Sequence, residues 1–410
     1  MAAEFKKFHL ELDDPVVVAL QPSNEERVWG RWQFPALQYT KDGQILASFA
    51  YGKDDVSYSG YNLYMISEDK GKTWHSQKGE GADKAPNKNA IQPPKYTKMS
   101  NGKCFAGFVS KGAYKADYIE AYTHIYYDGE RKCFLADDIA EEVDKKVFAR
   151  EYDPVTGKTE TFECNIIWPN MPLTVYNDNV VYPITMIFAL SNEAGIHVID
   201  GDLYFLLYWP GLDCEEKDRA RLSEKAGPHH AYIFKSSDCG RTWELYSQLL
   251  ADKLPPEIKG DYEGYSEPHM AKMPDGSWIM LIRTGCNRSS LIAKSFDNCK
   301  TWTKPKEFDT IGVLPQLLTL GCGVTLSSYG RPELRVRATS DPSGEKWEDP
   351  ITIELHGKDM IFWNISCFYT QLLPLDDSSA LLIYSDFHYP DADGNKVKAI
   401  LTRRIRVIME

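Results

Sequence analysis

Ser67-Glu68-Asp69-Lys70-Gly71-Lys72-Thr73-Trp74 decides the reading of this chain, because the same pattern returns further on. Ser236-Ser237-Asp238-Cys239-Gly240-Arg241-Thr242-Trp243 repeats it, and Ser295-Phe296-Asp297-Asn298-Cys299-Lys300-Thr301-Trp302 repeats it with cysteine in the glycine position. A degenerate fourth copy, Thr339-Ser340-Asp341-Pro342-Ser343-Gly344-Glu345-Lys346-Trp347, carries one inserted residue. In such a box the Ser and Asp side chains cap backbone amides of a tight turn, Gly supplies a positive φ, and Trp packs under the hairpin. The copies start at residues 67, 236, 295 and 339, so the gaps are 169, 59 and 44 residues. The two short gaps fit one repeat unit each, and the long one is expected to hold two or three units whose boxes have decayed.

Outward from the boxes the chain reads as short β-rich runs separated by turns. Gln44–Tyr51, Asp202–Tyr208 and Ser277–Ile282 are such runs, and Asp42-Gly43 and Pro274-Asp275-Gly276 are hairpin turns ahead of two of them. The best helical candidate, Asp138–Val147, is short. Many short strands allow a sandwich, a barrel or a propeller, and the fixed-period repeat selects the propeller. The expected fold is all-β: a six-bladed β-propeller of four-stranded antiparallel blades, one domain over 1–410, with 1–27 as a lead-in strand and loop.

Composition narrows the partners. The chain has 410 residues, a formal net charge of −12 and 43% apolar residues. The acidic balance argues against nucleic acid, which calls for a basic stripe. No apolar run is long enough for a membrane helix, and Met1–Lys7 has an early acid and no apolar segment behind it, so a cytoplasmic location is expected. The nine cysteines are scattered without a Cys-x-x-Cys pair, which reads as free thiols and no zinc site. No cofactor and no metal is expected. The adjacent His229-His230 would point to opposite faces of a strand, which disfavours a shared metal or proton-transfer role.

From about residue 28 to the C-terminus the chain resembles the sialidase (neuraminidase) superfamily of Asp-box propellers, with its motifs in order. Tyr51-Gly52-Lys53-Asp54-Asp55 follows the first strong strand and precedes the first box, where the resemblance implies the aspartate acting as general acid and base. Asp55 suits that role, with Asp54 as its neighbour in competition. Tyr265-Ser266-Glu267-Pro268-His269 leads into the Asp-Gly turn and a second strand ending in Arg283. The resemblance makes Glu267 the base that activates the nucleophile and Arg283 a substrate-binding arginine, ahead of Arg288. Tyr329-Gly330-Arg331-Pro332-Glu333-Leu334 places Arg331 where the family holds a substrate carboxylate, while Arg335 and Arg337 are expected to face solvent or a neighbouring blade. Cys367-Phe368-Tyr369-Thr370-Gln371 resembles the segment of the nucleophilic tyrosine, Tyr369. A phenol suits a substrate whose own carboxylate repels Asp or Glu, but with a pKa of about 10 it needs a carboxylate partner.

One position departs from the pattern. The family carries a Phe/Tyr-Arg-Ile-Pro motif in its first strand, and here Trp32-Gln33-Phe34-Pro35 puts Gln33 in the place of the arginine. Glutamine lacks the charged bidentate fork that arginine offers a carboxylate. Arg31, two residues earlier on the same strand face, is the candidate replacement. The resemblance therefore implies an exo-acting glycoside hydrolase that cleaves a terminal sugar, acidic in the first reading, with retention through Tyr369; Gln33 points to a substrate other than that of an ordinary sialidase, another acidic or even a neutral sugar. Its partner would be a glycan or oligosaccharide. The same ring also suits a polysaccharide lyase, a rhamnosidase or a non-catalytic glycan-binding propeller.

Overall fold

The computed structural model describes residues 6–40, 42–52, 61–76, 81–82, 97–109, 114–115, 126–128, 131–135, 146–169, 172–176, 180–182, 188, 195–210, 228–252, 262–286, 288–354 and 368–410. Over these residues the chain is all-β. The helical candidate 138–147 lies outside them except for Lys146 and Val147, of which Val147 opens a strand.

Strands follow one another as antiparallel groups in chain order. The first group is Arg31–Tyr39, Ile45–Tyr51 and Tyr61–Ser67. The second is Thr97–Lys98, Cys104–Phe108, Val147–Tyr152 and Thr159–Ile167; the third is Ile196–Ile199, Asp202–Pro210, His229–Ser236 and Thr242–Leu249. These two join into one eight-stranded sheet through a short parallel pairing, Asn165↔Thr242 to Ile167↔Glu244. Two four-stranded sheets come next, one from Ser266–Lys272 to Lys306–Asp309 and one from Val313–Thr319 to Ile351–Glu354. The last group is Gln371–Asp376, Ser379–Pro390 and Lys396–Met409. It is completed from the other end of the chain, because Phe8–Leu12 and Val16–Leu20 both pair with Lys396–Met409. The lead-in is thus an integral part of the last sheet and fastens the two ends of the chain together.

Five apolar clusters hold the groups side by side. One joins the first and last groups (Phe49 and Trp32 with Leu381 and Ile400), and another joins the second and third (Phe105 with Phe205 and Trp243). The remaining three join the third and fourth, fourth and fifth, and fifth and last groups. A sheet covered on both faces needs apolar residues at successive positions rather than at alternate ones. That is why Trp278–Arg283 is buried throughout, as is the first three-quarters of Ser379–Pro390. Sheets packed face to face in series, with the ends fastened, give a β-propeller arrangement.

Each box begins at the end of the third strand of its group. In the first, Ser67 Oγ donates to Asp69 Oδ1 and accepts from Gly71 N, both at 2.8 Å, while Asp69 takes the amides of Lys72 and Thr73. The pattern recurs around Asp238 and Asp297, and in altered form around Asp341. The Asp69 carboxyl, despite a little burial, is held down at about 2 by the hydroxyls and amides of Thr73, Ser67 and Lys72. Cys299 adopts the left-handed φ of 67° that glycine has at the other boxes, at a backbone cost of about 1 kcal/mol. Its side chain is fully buried in the cluster with Trp278 and Trp302.

The boxes also set the spacing between groups. A Cβ on Gly71 would lie 2.7 Å from Leu381, and one on Gly240 2.6 Å from Phe105, each in the preceding group around the ring. Gly276, also left-handed at φ 90°, has nothing within 4 Å of such a Cβ. Gly240→Ala is therefore expected to cost about 2–4 kcal/mol, backbone strain plus overpacking, and Gly276→Ala only about 1 kcal/mol. Urea unfolding of the two variants measures the difference.

The gap between the first two boxes is filled differently from the expectation. Among the described residues it contains the second group, the first three strands of the third, and a separate five-stranded sheet formed by Tyr114–Lys115, Tyr126–Asp128, Arg131–Leu135, Pro172–Tyr176 and Val180–Tyr182. The decayed box of the second group is the turn at Asp153, whose Oδ1 accepts from Val155 N and Thr156 N.

Candidate active site

Three innermost strands carry the same irregularity. In the first group the register moves from Gln33↔Ala50 to Ala36↔Ser48, so one extra residue enters around Phe34-Pro35. The fourth group steps from Ser266↔Arg283 to His269↔Leu281 around Glu267-Pro268, and the fifth from Val313↔Gly330 to Gln316↔Ser328 around Leu314-Pro315. Proline cannot donate to a ladder and is tolerated at a bulge. The residue ahead of each proline is left-handed: φ is 53° at Phe34, 43° at Glu267 and 41° at Leu314. Arg331 at 74° and Phe368 at 50° add to the set. Non-glycine residues in this region cost about 1–3 kcal/mol each, and such strain gathers at functional sites.

These strained positions meet. Glu267, 8% exposed, accepts at Oε1 from Arg283 Nη1 at 2.7 Å and from the Tyr369 hydroxyl, and at Oε2 from Leu314 N at 2.9 Å. Arg283 Nη2 donates to Glu263 Oε1 at 2.7 Å and lies 3.1 Å from Cys286 Sγ. Arg331 Nη1 reaches the same sulfur at 3.2 Å. The Phe34 ring stands 5.0 Å from that of Tyr369, and Trp29 packs edge-on against Phe34 at 6.3 Å. Gly330 makes the assembly fit: a Cβ there would fall 2.3 Å from Phe368 Cβ and 2.7 Å from its carbonyl oxygen. Gly330→Ala is expected to lower kcat at least tenfold by displacing the neighbouring Tyr369, a loss of about 1.4 kcal/mol in transition-state stabilisation. Steady-state kinetics beside a thermal melt separates that effect from unfolding.

The charges are arranged for proton transfer. Burial works against ionised Glu267, but Arg283, the Tyr369 hydroxyl and Arg331 outweigh it and hold the carboxyl below its ordinary value. Burial pushes the Tyr369 phenol well above its ordinary value, Glu267's charge adds to this, and Arg283 opposes it. Arg283 remains a cation: burial disfavours its charge, and Glu267, Tyr369 and Glu263 more than restore it. The pair is thus a neutral phenol donating to an ionised carboxylate.

Of the residues singled out in the sequence, Glu267, Arg283, Arg331 and Tyr369 come together. Asp54 and Asp55 lie outside the described residues. Gln33 is fully buried, and its Oε1 accepts from Gly30 N at 2.6 Å and from Lys398 Nζ at 2.9 Å. Lys398 Nζ also donates to the carbonyls of Val28 and Arg31. An arginine at position 33 would set its cation against this buried ammonium, a physical reason for glutamine. Arg31 is engaged elsewhere, 3.8 Å from Glu25 and over the Tyr51 ring. Arg288 lies over Tyr262, and His230 Nδ1 accepts from Ala251 N, a structural bond. Arg335 pairs with Asp309 and Glu333, and Arg337 donates to Phe308 O, so both serve the fourth–fifth contact as expected. Cys104, Cys164, Cys239, Cys286, Cys299 and Cys322 are free thiols.

Sequence reading passed over Glu263, Cys286, Phe34, Leu314 and Lys398. A signal for two of them was present. Phe34-Pro35, Glu267-Pro268 and Leu314-Pro315 form a second, shorter repeat at the openings of the innermost strands.

No family model matches the chain, and no curated protein matches it. Among solved structures it is similar to a protein of unknown function from Dyadobacter fermentans, with 17% identity, a TM-score of 0.59 and coverage of 97% of this chain and 99% of that one. It is also similar to an α-L-arabinofuranosidase from Fusarium graminearum (14% identity, TM-score 0.47, 95% and 97% covered). A third is a sialidase from Trypanosoma rangeli (14%, 0.41, 95% of this chain and 57% of that one). The first of these likenesses extends over nearly the whole of both chains and is a likeness of fold alone.

Proposed function

We propose that this protein is an exo-acting glycoside hydrolase that removes a terminal sugar with retention of configuration, using Tyr369 as nucleophile and Glu267 as its base. The observation that carries the reading is the hydrogen bond from the Tyr369 hydroxyl to a buried Glu267 carboxylate fixed by Arg283 and the Leu314 amide. A phenol raised in pKa attacks poorly by itself; one that passes its proton to a carboxylate in contact as the bond to the anomeric carbon forms does not need to ionise first. Arg283 stabilises the carboxylate before transfer, and its link to Glu263 keeps the guanidinium in place. Asp55 is the proposed acid that protonates the leaving group and then activates water to release the sugar from Tyr369. In this reading the ring has six blades, one for each strand group; the chain 1–410 is one domain, and the partner is a glycan or oligosaccharide met in the cytoplasm.

The test is a screen of aryl glycosides, followed by trapping with a 2-fluoro sugar matched to the active substrate. A mass increment of one glycosyl group on the peptide bearing Tyr369, with a product of unchanged anomeric configuration, supports the mechanism. A label on Glu267 or Asp55 instead, or an inverted product, removes it.

The acid limb of kcat/KM is expected below the ordinary glutamate value of about 4.3, because Glu267 must be ionised to accept the proton. Stability follows the same group. Its folded-state value is depressed, so its contribution is complete above the unfolded value and is lost as pH falls through the folded one. Tyr369 acts at the other end: its value is raised, so its contribution is complete below the unfolded value of about 10 and is lost as pH rises through the folded one. Rate profiles and melts of wild type and Glu267→Gln across acid pH check the first limb.

A further inference from the structure

We infer that the terminal sugar accepted here is uncharged, and that Glu263 is the residue that determines this. The inference rests on the glycoside hydrolase reading and chooses between the acidic and the neutral sugar that the sequence left open. Both terminal nitrogens of Arg283 are committed to carboxylates, Nη1 to Glu267 and Nη2 to Glu263, each at 2.7 Å. Arg331, 3% exposed, is directed at Cys286 Sγ, and its charge helps keep Glu267 ionised. Among the described residues, two guanidinium groups thus stand against two carboxylates. Two further cations are engaged elsewhere: Lys398 donates to Gln33 and to the carbonyls of Val28 and Arg31, and Arg31 lies against Glu25 and the Tyr51 ring.

Among the described residues, a sugar carboxylate entering this site would find no surplus cation to offset the loss of its hydration, and burial of such a charge is costly. The wall beside the nucleophile is instead aromatic. Phe34, Trp29 and Tyr369 are all half-buried and packed ring against ring, a surface that suits the C–H face of a neutral pyranose or furanose. Glu263 is the most exposed member of the charged set, at 31% of its side chain, and its carboxylate can accept from sugar hydroxyls while repelling a sugar acid.

The experiment compares 4-nitrophenyl glycosides of neutral pentoses, hexoses and 6-deoxyhexoses with those of glucuronic and sialic acid, on wild type and Glu263→Gln. Arg283 keeps Glu267 in the variant, so the fold is expected to persist. Turnover by wild type is expected for a neutral glycoside alone, with a KM that changes less than twofold between about 20 and 500 mM salt. Glu263→Gln is expected to tighten inhibition by free glucuronate or sialate about tenfold, the effect of removing one like charge. Preferred turnover of an acidic glycoside by wild type overturns the inference and leaves the hydrolase standing. Turnover of no glycoside removes the hydrolase reading; calorimetric binding then decides the inference, which falls if wild type binds either sugar acid as tightly as Glu263→Gln does.

Discussion

Replacing Tyr369 with phenylalanine is expected to lower kcat/KM by about 10³–10⁴-fold while leaving the protein folded. The ring would keep its packing on Phe34, and only the hydroxyl bonded to Glu267 would be lost. Glu267 remains paired with Arg283 and the Leu314 amide, so no buried charge is stranded. The stability cost is therefore that of one charge-assisted hydrogen bond, about 1.5–3 kcal/mol. Steady-state rates with the best aryl glycoside, beside a urea titration, measure both quantities. A variant that retains more than about a tenth of the wild-type rate would show that the phenol is not the attacking group.

Glu267→Gln should be the more damaging change, because it removes the base and disturbs the charge balance together. The rate is expected to fall about 10²–10⁴-fold, since an amide cannot take the phenol's proton. Arg283 is buried, and it would keep only Glu263 as a carboxylate partner. Breaking a buried pair costs about 3–5 kcal/mol, and the surviving Glu263 contact should keep the loss near the lower end. The double variant Glu267→Gln/Arg283→Gln should recover part of the stability and none of the activity. Strict additivity of the two single losses in urea would count against the coupling shown by the 2.7 Å contact.

Much of the scaffold was legible in the residues alone. The box spacing implied a repeating all-β ring, and the boxes form the turns their residue types predict. Their wider role was not legible, because the would-be clashes of Gly71 with Leu381 and of Gly240 with Phe105 join residues more than a hundred positions apart. The long first gap was misjudged for a related reason: a decayed box at Asp153 and an inserted sheet leave the same trace in sequence as missing repeats. Glu267, Arg283, Arg331 and Tyr369 were singled out through the family resemblance of the motifs around them, which fall at strand openings and strand ends. Glu263 and Cys286 have no such landmark, and they join the site only through the side chain of Arg283.

Gln33 shows where the boundary between sequence and tertiary structure falls. From sequence it was an arginine missing from a clamp, a statement about residue type in a motif. Periodicity and turn chemistry are local properties, and with them the sequence by itself determined the all-β repeat and the turns, while the candidate nucleophile and its base came from the resemblance of their motifs to a known family. What surrounds a buried side chain depends on strands far apart in the chain. Lys398, 365 positions away, fills the space beside Gln33 and supplies its hydrogen bond. Only the tertiary structure decided that, and with it the charge balance of the site, because charges add in space whatever their separation along the chain.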